Sequence, residues 1–206
     1  MIKSIFKTHQ SSFTVRGSRF LTFAYPVRDE EEITEALENC KEMYPDATHH
    51  CYAWRVDPER PSEFANDDGE PSGTAGQPIL NEIKSHQLIN ILIIVVRYFG
   101  GTKLGKPGLI DAYRTAARQC LEEANISEIQ PVQSLSVTFP YSEQKQIDQL
   151  QHKYGLVKTS ESYQAEVCWQ VMCPEDHYPN LLSELEHLKH RGIRHQSGEK
   201  SYKPIS

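Results

Sequence analysis

The sequence predicts an α+β protein of two domains, and three observations lead there. Residues 91–99 form an apolar, largely β-branched run with the composition of a strand buried on both faces. The run enters a turn containing Gly100, Gly101, Gly105 and Gly108, and a helical pattern follows directly. Beyond residue 131 the periodic segments read β-α-β-β-α-β, the ferredoxin-like plan.

Each element has a local reason. Residues 11–16 and 20–27 read as strands with a turn at Ser18-Arg19-Phe20 between them. Asp29 is a good N-cap, and Glu32 completes a capping-box-like start for a helix carrying Ile33, Ala36, Leu37 and Cys40, with Pro45 after its end. Residues 49–56 are the next strand. The segment 57–78 reads as a long loop, and such a loop inside a small domain is uncommon unless it is functional or mobile. A helix over 77–87 follows, with Pro78 in its first turn. After the glycine turn, Leu109, Ile110, Tyr113, Ala116, Ala117, Cys120 and Leu121 form the apolar stripe of a long helix.

The segment NISEIQPVQS, rich in turn formers and holding Pro131, reads as a short linker. It divides the chain into domains 1–130 and 131–206. In the second, Leu135, Val137 and Phe139 alternate as a strand. Ser142 starts a helix that Gly155 stops, and strands over 156–162 and 164–173 follow. A helix over 175–190 carries Leu181, Leu182, Leu185 and Leu188 before Gly192, and residues 193–197 return as an edge strand.

Composition narrows the function classes. The chain has 206 residues, 38% hydrophobic and 24% charged, and a mean hydropathy of −0.58. No apolar stretch reaches the roughly 20 residues a membrane-spanning helix needs, and the first residues lack the apolar segment of a signal peptide. Five cysteines without zinc-like pairing suit free thiols in a reducing cytoplasm, the expected location. A net charge of −6 argues against indiscriminate coating of nucleic acid. Between residues 97 and 118, however, Arg97, Lys103, Lys106, Arg114 and Arg118 face Asp111 alone. A local basic site of this kind selects RNA phosphates or an acidic surface; the structural alternative is a solvated face balanced by acidic neighbours.

Gly100, Gly105 and Lys106 satisfy the spacing of a nucleotide-binding P-loop, but Pro107 stands where the magnesium-binding hydroxyl belongs. A nucleoside triphosphatase loop is therefore set aside, and no cofactor is expected. The segment ANDDGEPSGTAGQP is the second unusual feature. Asp67, Asp68 and Glu70 lie beside Gly69, and Ser72 and Thr74 add small polar side chains. These residues either contact a partner opposite the basic turn or cap helices and pair with Arg97 or Lys103. His49, His50 and Cys51 could join the carboxylates in a metal site. Strand alternation puts His49 and Cys51 on one face and His50 on the other, so no metal site is expected. No nucleophile elbow surrounds Cys51 or Ser72.

Ser18-Arg19-Phe20, THHCYAWR (48–55), DDGEPSGTAGQPIL (67–80), VVRYFGGTKLG (95–105) and Gly108-Leu109 with Ala112-Tyr113 occur in one order that resembles the YigZ/IMPACT family. The resemblance covers residues 18 to about 124, and the remainder is similar to the C-terminal domain of the bacterial two-domain members. Lys106-Pro107 departs from the family pattern, which usually has a small residue and a glycine there, and stiffens the turn. The resemblance implies a ribosomal-protein-like βαβ N-terminal domain, of the kind also seen in the fourth domain of elongation factor G. A ferredoxin-like βαββαβ domain follows it. It also implies a regulator of translation, as the eukaryotic relatives are, with RNA, the ribosome or a translation-control protein as partner. It supplies no catalytic residues. The function expected is thus non-enzymatic, with Arg97, Lys103, Lys106, Arg114 and Arg118 as the binding set and Asp67, Asp68 and Glu70 as the acidic loop. His49, His50, Ser72 and Thr74 are further contacts. An enzyme acting on a phosphorylated small molecule and a pure protein-interaction adaptor remain the alternatives.

Overall fold

The computed structural model describes residues 2–204, and the chain divides into two compact units, one ending at Glu128 and one beginning at Ile129. Both are mixed helix and sheet, and all paired strands described below are antiparallel. Among the described residues no helix is long and apolar enough to cross a membrane.

The sheet of the first unit contains β2 (His9–Val15), β3 (Ser18–Pro26), β4 (His49–Val56), β5 (Ser62–Asn66) and β6 (Ile91–Tyr98), in the order β2-β3-β6-β4-β5. The helix α1 (Glu30–Met43) joins β3 to β4, which flank β6 on either side. The central position of β6 explains its lack of alternation. Ile91, Ile93 and Val95 meet α2 (Gly76–Ser85) and α3 (Gly105–Glu123) through Ile79, Ile83, Leu109, Ala116 and Cys120. Leu92, Ile94 and Val96 share the opposite core with Ile33 and Cys40 of α1. Asp29 caps α1 by accepting the Glu32 N–H at 2.9 Å, and the Glu32 carboxylate accepts the Arg28 N–H at 2.8 Å.

Three expectations are corrected here. The hairpin turn between β2 and β3 is Arg16-Gly17, both at positive φ, which is the two-residue turn whose twist suits a hairpin. Ser18, Arg19 and Phe20 lie in β3 instead. The segment 57–78 is not all loop, because β5 pairs along the edge of β4. The expected linker is a strand: β7 runs unbroken over Ile126–Phe139. Its first residues, Ile126, Ser127 and Glu128, pair with β1 (Lys3–Ile5). Pro131 is tolerated because β9 joins β7 only from Val132 onward, leaving β10 alone beside the proline.

The second unit continues from β7 through α4 (Gln144–Tyr154), β8 (Val157–Tyr163), β9 (Val167–Pro174), α5 (Tyr178–His187) and β10 (Arg194–Pro204). Its strands lie in the order β10-β7-β9-β8. Leu135, Val137, Phe139, Trp169 and Val171 meet Ile147, Leu150, Leu181 and Leu185 in one core. Gly155 and Gly192 take left-handed φ values of 63° and 82° just past helical segments. Ser142 does not cap α4; it lies in a short 3-10 turn ahead of it.

One backbone contact shapes the functional end of the first unit. Gly100 packs so closely on the β2–β3 turn that a Cβ there would lie 1.9 Å from the Gly17 carbonyl carbon. Gly101, at φ +85°, has nothing within 4 Å of a Cβ. Gly101→Ala should therefore cost only the left-handed alanine, about 1–2 kcal/mol. Gly100→Ala should cost more, because the obstructing atoms are backbone. Thermal denaturation of the two variants checks the ranking, and a smaller loss for Gly100→Ala contradicts it.

Candidate functional site

The sequence motifs converge on one polar network beneath the glycine turn. Arg97, on β6, is 4% exposed, and its guanidinium donates to Glu70 Oε1 at 2.5 Å and to Ser18 Oγ at 3.3 Å. Ser18 Oγ also accepts the Gly100 N–H at 3.2 Å. From α3 the Tyr113 hydroxyl donates to the same Glu70 oxygen at 2.8 Å. The Cys51 thiol lies 3.2 Å from that hydroxyl and 3.0 Å from the Asp67 carbonyl oxygen. His49 sits at the margin, with Nδ1 2.7 Å from the Asp68 carbonyl and Nε2 3.8 Å from Glu70 Oε1. Thus Glu70 joins β6 to α3, the two elements that carry the glycine turn.

The rest of the acidic loop is held by its own architecture. The Asp67 carboxylate accepts the N–H groups of Gly73, Ala75 and Gly76 at 2.8–2.9 Å, so it holds one amide of the loop and the two that open α2. Burial alone would raise its pKa, but these amides together hold it below the usual carboxylate value. Gly76 permits the approach, since a Cβ there would fall 2.5 Å from the Asn66 nitrogen. Asp68 accepts the His50 N–H at 2.6 Å, while His50 Nε2 contacts the Tyr44 carbonyl at 3.1 Å. Thr74 is buried with its hydroxyl on the Pro71 carbonyl, and Ser72 is exposed. The acidic loop therefore takes the capping and pairing role. Arg97, not Lys103, is its cationic partner.

The titratable groups of the network are bound up with one another. Burial pushes the Cys51 thiol far above its ordinary pKa, and burial followed by the neighbouring Cys51 and Glu70 does the same to Tyr113. In both cases burial favours the protonated form. Two of the candidate metal-binding atoms are already engaged: His49 Nδ1 on a backbone carbonyl and Glu70 Oε1 on Arg97.

The five cations named from the sequence separate into two groups. Arg97 is buried on Glu70, and Arg118 pairs with the buried Glu82 at 3.0 Å, so an internal carboxylate neutralises each. Arg97 is thereby corrected from an exposed binding group to a buried, paired one, and Arg118 stays exposed but paired. Lys103, Lys106 and Arg114 are exposed, and among the described residues none has a carboxylate within 4.0 Å. Two exposed cations were missed. Arg16 precedes Gly17 and reaches the glycine turn through the Gly17–Gly100 contact, and Arg19 lies two residues beyond on β3. Arg19 lies 5.0 Å from the centre of the Tyr98 ring. Phe99 is 46% exposed, with the Arg97 guanidinium 5.6 Å from its ring centre and its N–H on Thr48 Oγ1 at 3.0 Å. The signal for Arg16 and Arg19 was the R-G-S-R string, legible only once the two turns are known to touch.

Two α+β units with antiparallel sheets, the first bearing this network, define the class. Residues 16–121 match the Impact N-terminal domain. The chain belongs to the IMPACT family. It is 37% identical over 131 residues to the IMPACT family member YvyE of Bacillus subtilis, a match covering 62% of this chain and 60% of that protein. It is 32% identical over 162 residues to the IMPACT family member YigZ of Escherichia coli, covering 78% and 79%. A crystal structure described as that of a hypothetical protein aligns with 96% of this chain and 97% of its own, at a TM-score of 0.67 and 26% identity.

The network makes two stability predictions. Glu70→Ala leaves Arg97 buried without its carboxylate and should cost about 3–5 kcal/mol, whereas the double variant Glu70→Met/Arg97→Met should cost less than the sum of its singles. Urea unfolding measures both, and additive losses contradict the pairing. Asp67 has a lowered folded pKa, so its contribution is present above the unfolded value of about 3.9 and is lost as pH falls through the folded one. The stability gap between wild type and Asp67→Asn should thus be widest near neutral pH and close in acid. A pH-independent gap contradicts this.

Proposed function

We propose that this chain is a cytoplasmic, translation-associated regulator that binds RNA or a ribosomal surface with the exposed cations of its first unit. Lys103, Lys106 and Arg114 remain from the sequence reading, and Arg16 and Arg19 join them. The reading takes the first unit as a ribosomal-protein-like domain and the second, with its β-α-β-β-α-β order, as a ferredoxin-like one. The observation that carries it is the division of the cations: buried Arg97 and exposed Arg118 each pair with a buried carboxylate, and the exposed Lys103, Lys106, Arg114, Arg16 and Arg19 do not. Uncompensated surface charge on a protein of net charge −6 favours selective contact with phosphates over general adhesion. Membership of the IMPACT family supports the link to translation control. The engagement of Asp67 and Asp68 by backbone amides and of Glu70 by Arg97 and Tyr113 weighs against the enzyme alternative, which would use that acidic loop as a metal or general-base site.

The test is binding of RNA and of ribosomes across a salt series. Wild-type affinity should fall steeply as salt rises, and Lys103→Glu/Arg114→Glu should weaken binding roughly tenfold or more with a shallower salt slope. Arg118→Gln should change binding much less, because Glu82 already engages that guanidinium. Equal, salt-insensitive binding by wild type and the double variant discards the proposal.

A further inference from the structure

We propose that the glycine turn reads unpaired bases: Phe99 is a stacking platform with Arg16 and Lys103 on the two turns that meet beside it, and its ligand is single-stranded nucleic acid rather than a duplex. The inference rests on the phosphate-binding reading above and adds to it the form of the polymer.

Phe99 is the first observation. It is an aromatic residue 46% exposed at the end of the most buried strand of the unit, directly before the glycine turn. Its mount is nonetheless rigid. The backbone N–H is held by Thr48 Oγ1, and the next amide, that of Gly100, is held by Ser18 Oγ. The Arg97 guanidinium lies 5.6 Å from the ring centre and is itself fixed by Glu70 and Ser18. An exposed ring on a fixed base is preorganised for stacking and loses little freedom when a partner arrives.

The surroundings supply the second observation. The close contact of Gly17 with Gly100 delivers the Arg16-Gly17 turn to the same end of the sheet. Arg19 stands opposite Tyr98 in the β3–β6 pairing and lies over its ring on the other face of the sheet, so of the two turn arginines only Arg16 belongs with Phe99. Arg16 and Lys103 are exposed, and among the described residues they have no carboxylate partner. Cations around an exposed ring match the alternation of phosphate and base along a single strand. A duplex presents the same phosphates but keeps its base faces inside the stack, and A-form RNA also narrows its major groove against side chains. Electrostatics alone would therefore bind both forms; an accessible ring prefers the unpaired one.

The experiment uses the full-length protein, a fluorescent single-stranded RNA of about 12 nucleotides, the same sequence annealed as a duplex, and a matched DNA strand. Wild type should bind the single-stranded RNA roughly tenfold tighter than the duplex. Phe99→Ala should weaken single-strand binding roughly 5- to 100-fold with the duplex unchanged, and Phe99→Trp should keep the preference, its fluorescence quenched by the stacked base. DNA binding equal to RNA makes the ligand either polymer, and weaker DNA binding makes it RNA; both support the platform. If Phe99→Ala leaves the single-strand affinity intact while Lys103→Glu/Arg114→Glu weakens it, stacking is overturned and the phosphate reading stands. If wild type binds neither strand nor duplex but captures poly-glutamate, both readings are overturned.

Discussion

The Arg97–Glu70 ion pair is the constraint on which the functional end of this protein depends. Both side chains are more than nine-tenths buried, so each charge has left water and needs the other. The pair alone would be weak support for stability. Its value lies in the further partners that meet at it: Ser18 from β3, Tyr113 from α3 and, at longer range, His49 from β4. A buried polar network of this kind tolerates one arrangement of its elements, because any shift leaves a charge or hydroxyl unsatisfied. The pair thus joins a loop, a helix and the central strand in one geometry.

Rigidity beneath has consequences above. The strand carrying Arg97 continues into Tyr98, Phe99 and the glycine turn, and Ser18 ties both Arg97 and the Gly100 amide. The buried cation spends its charge on Glu70 and leaves the recognition of anions to the exposed residues on the same frame. The motif positions accordingly divide by role. Asp67, Glu70, Arg97, Cys51 and Tyr113 build the frame, and Lys103, Lys106, Arg16, Arg19 and Phe99 face solvent from it. The apolar turn-and-strand sequence that first suggests an anion loop describes the frame as much as the site.

Much of the fold was legible in local pattern. The strand over His49–Val56 and the buried strand from Ile91 follow from composition, and Asp29 and Gly155 mark helix ends by their own chemistry. What was not legible depended on distant partners. Pro131 among turn formers looks like a linker, and only the pairing with β10 makes it strand. The five residues of β5 have too little alternation to announce an edge strand beside β4. The site failed in the same way. Arg97 and Arg118 look like Lys103 in a count of charges, but their carboxylates lie 27 and 36 residues away in sequence. Arg16 joins the turn through a contact between two glycines 83 positions apart by residue number.

Amide hydrogen exchange at the turn tests the central claim most directly, in wild type and in Arg97→Met. If the buried pair organises the surface above it, the Phe99 and Gly100 amides are protected in wild type. In the variant they exchange much faster relative to the Ile93–Val95 amides, whose protection follows global unfolding. Equal loss of protection across strand and turn, or an unchanged turn in Arg97→Met, would show that the exposed residues owe their placement to something other than the Arg97–Glu70 pair.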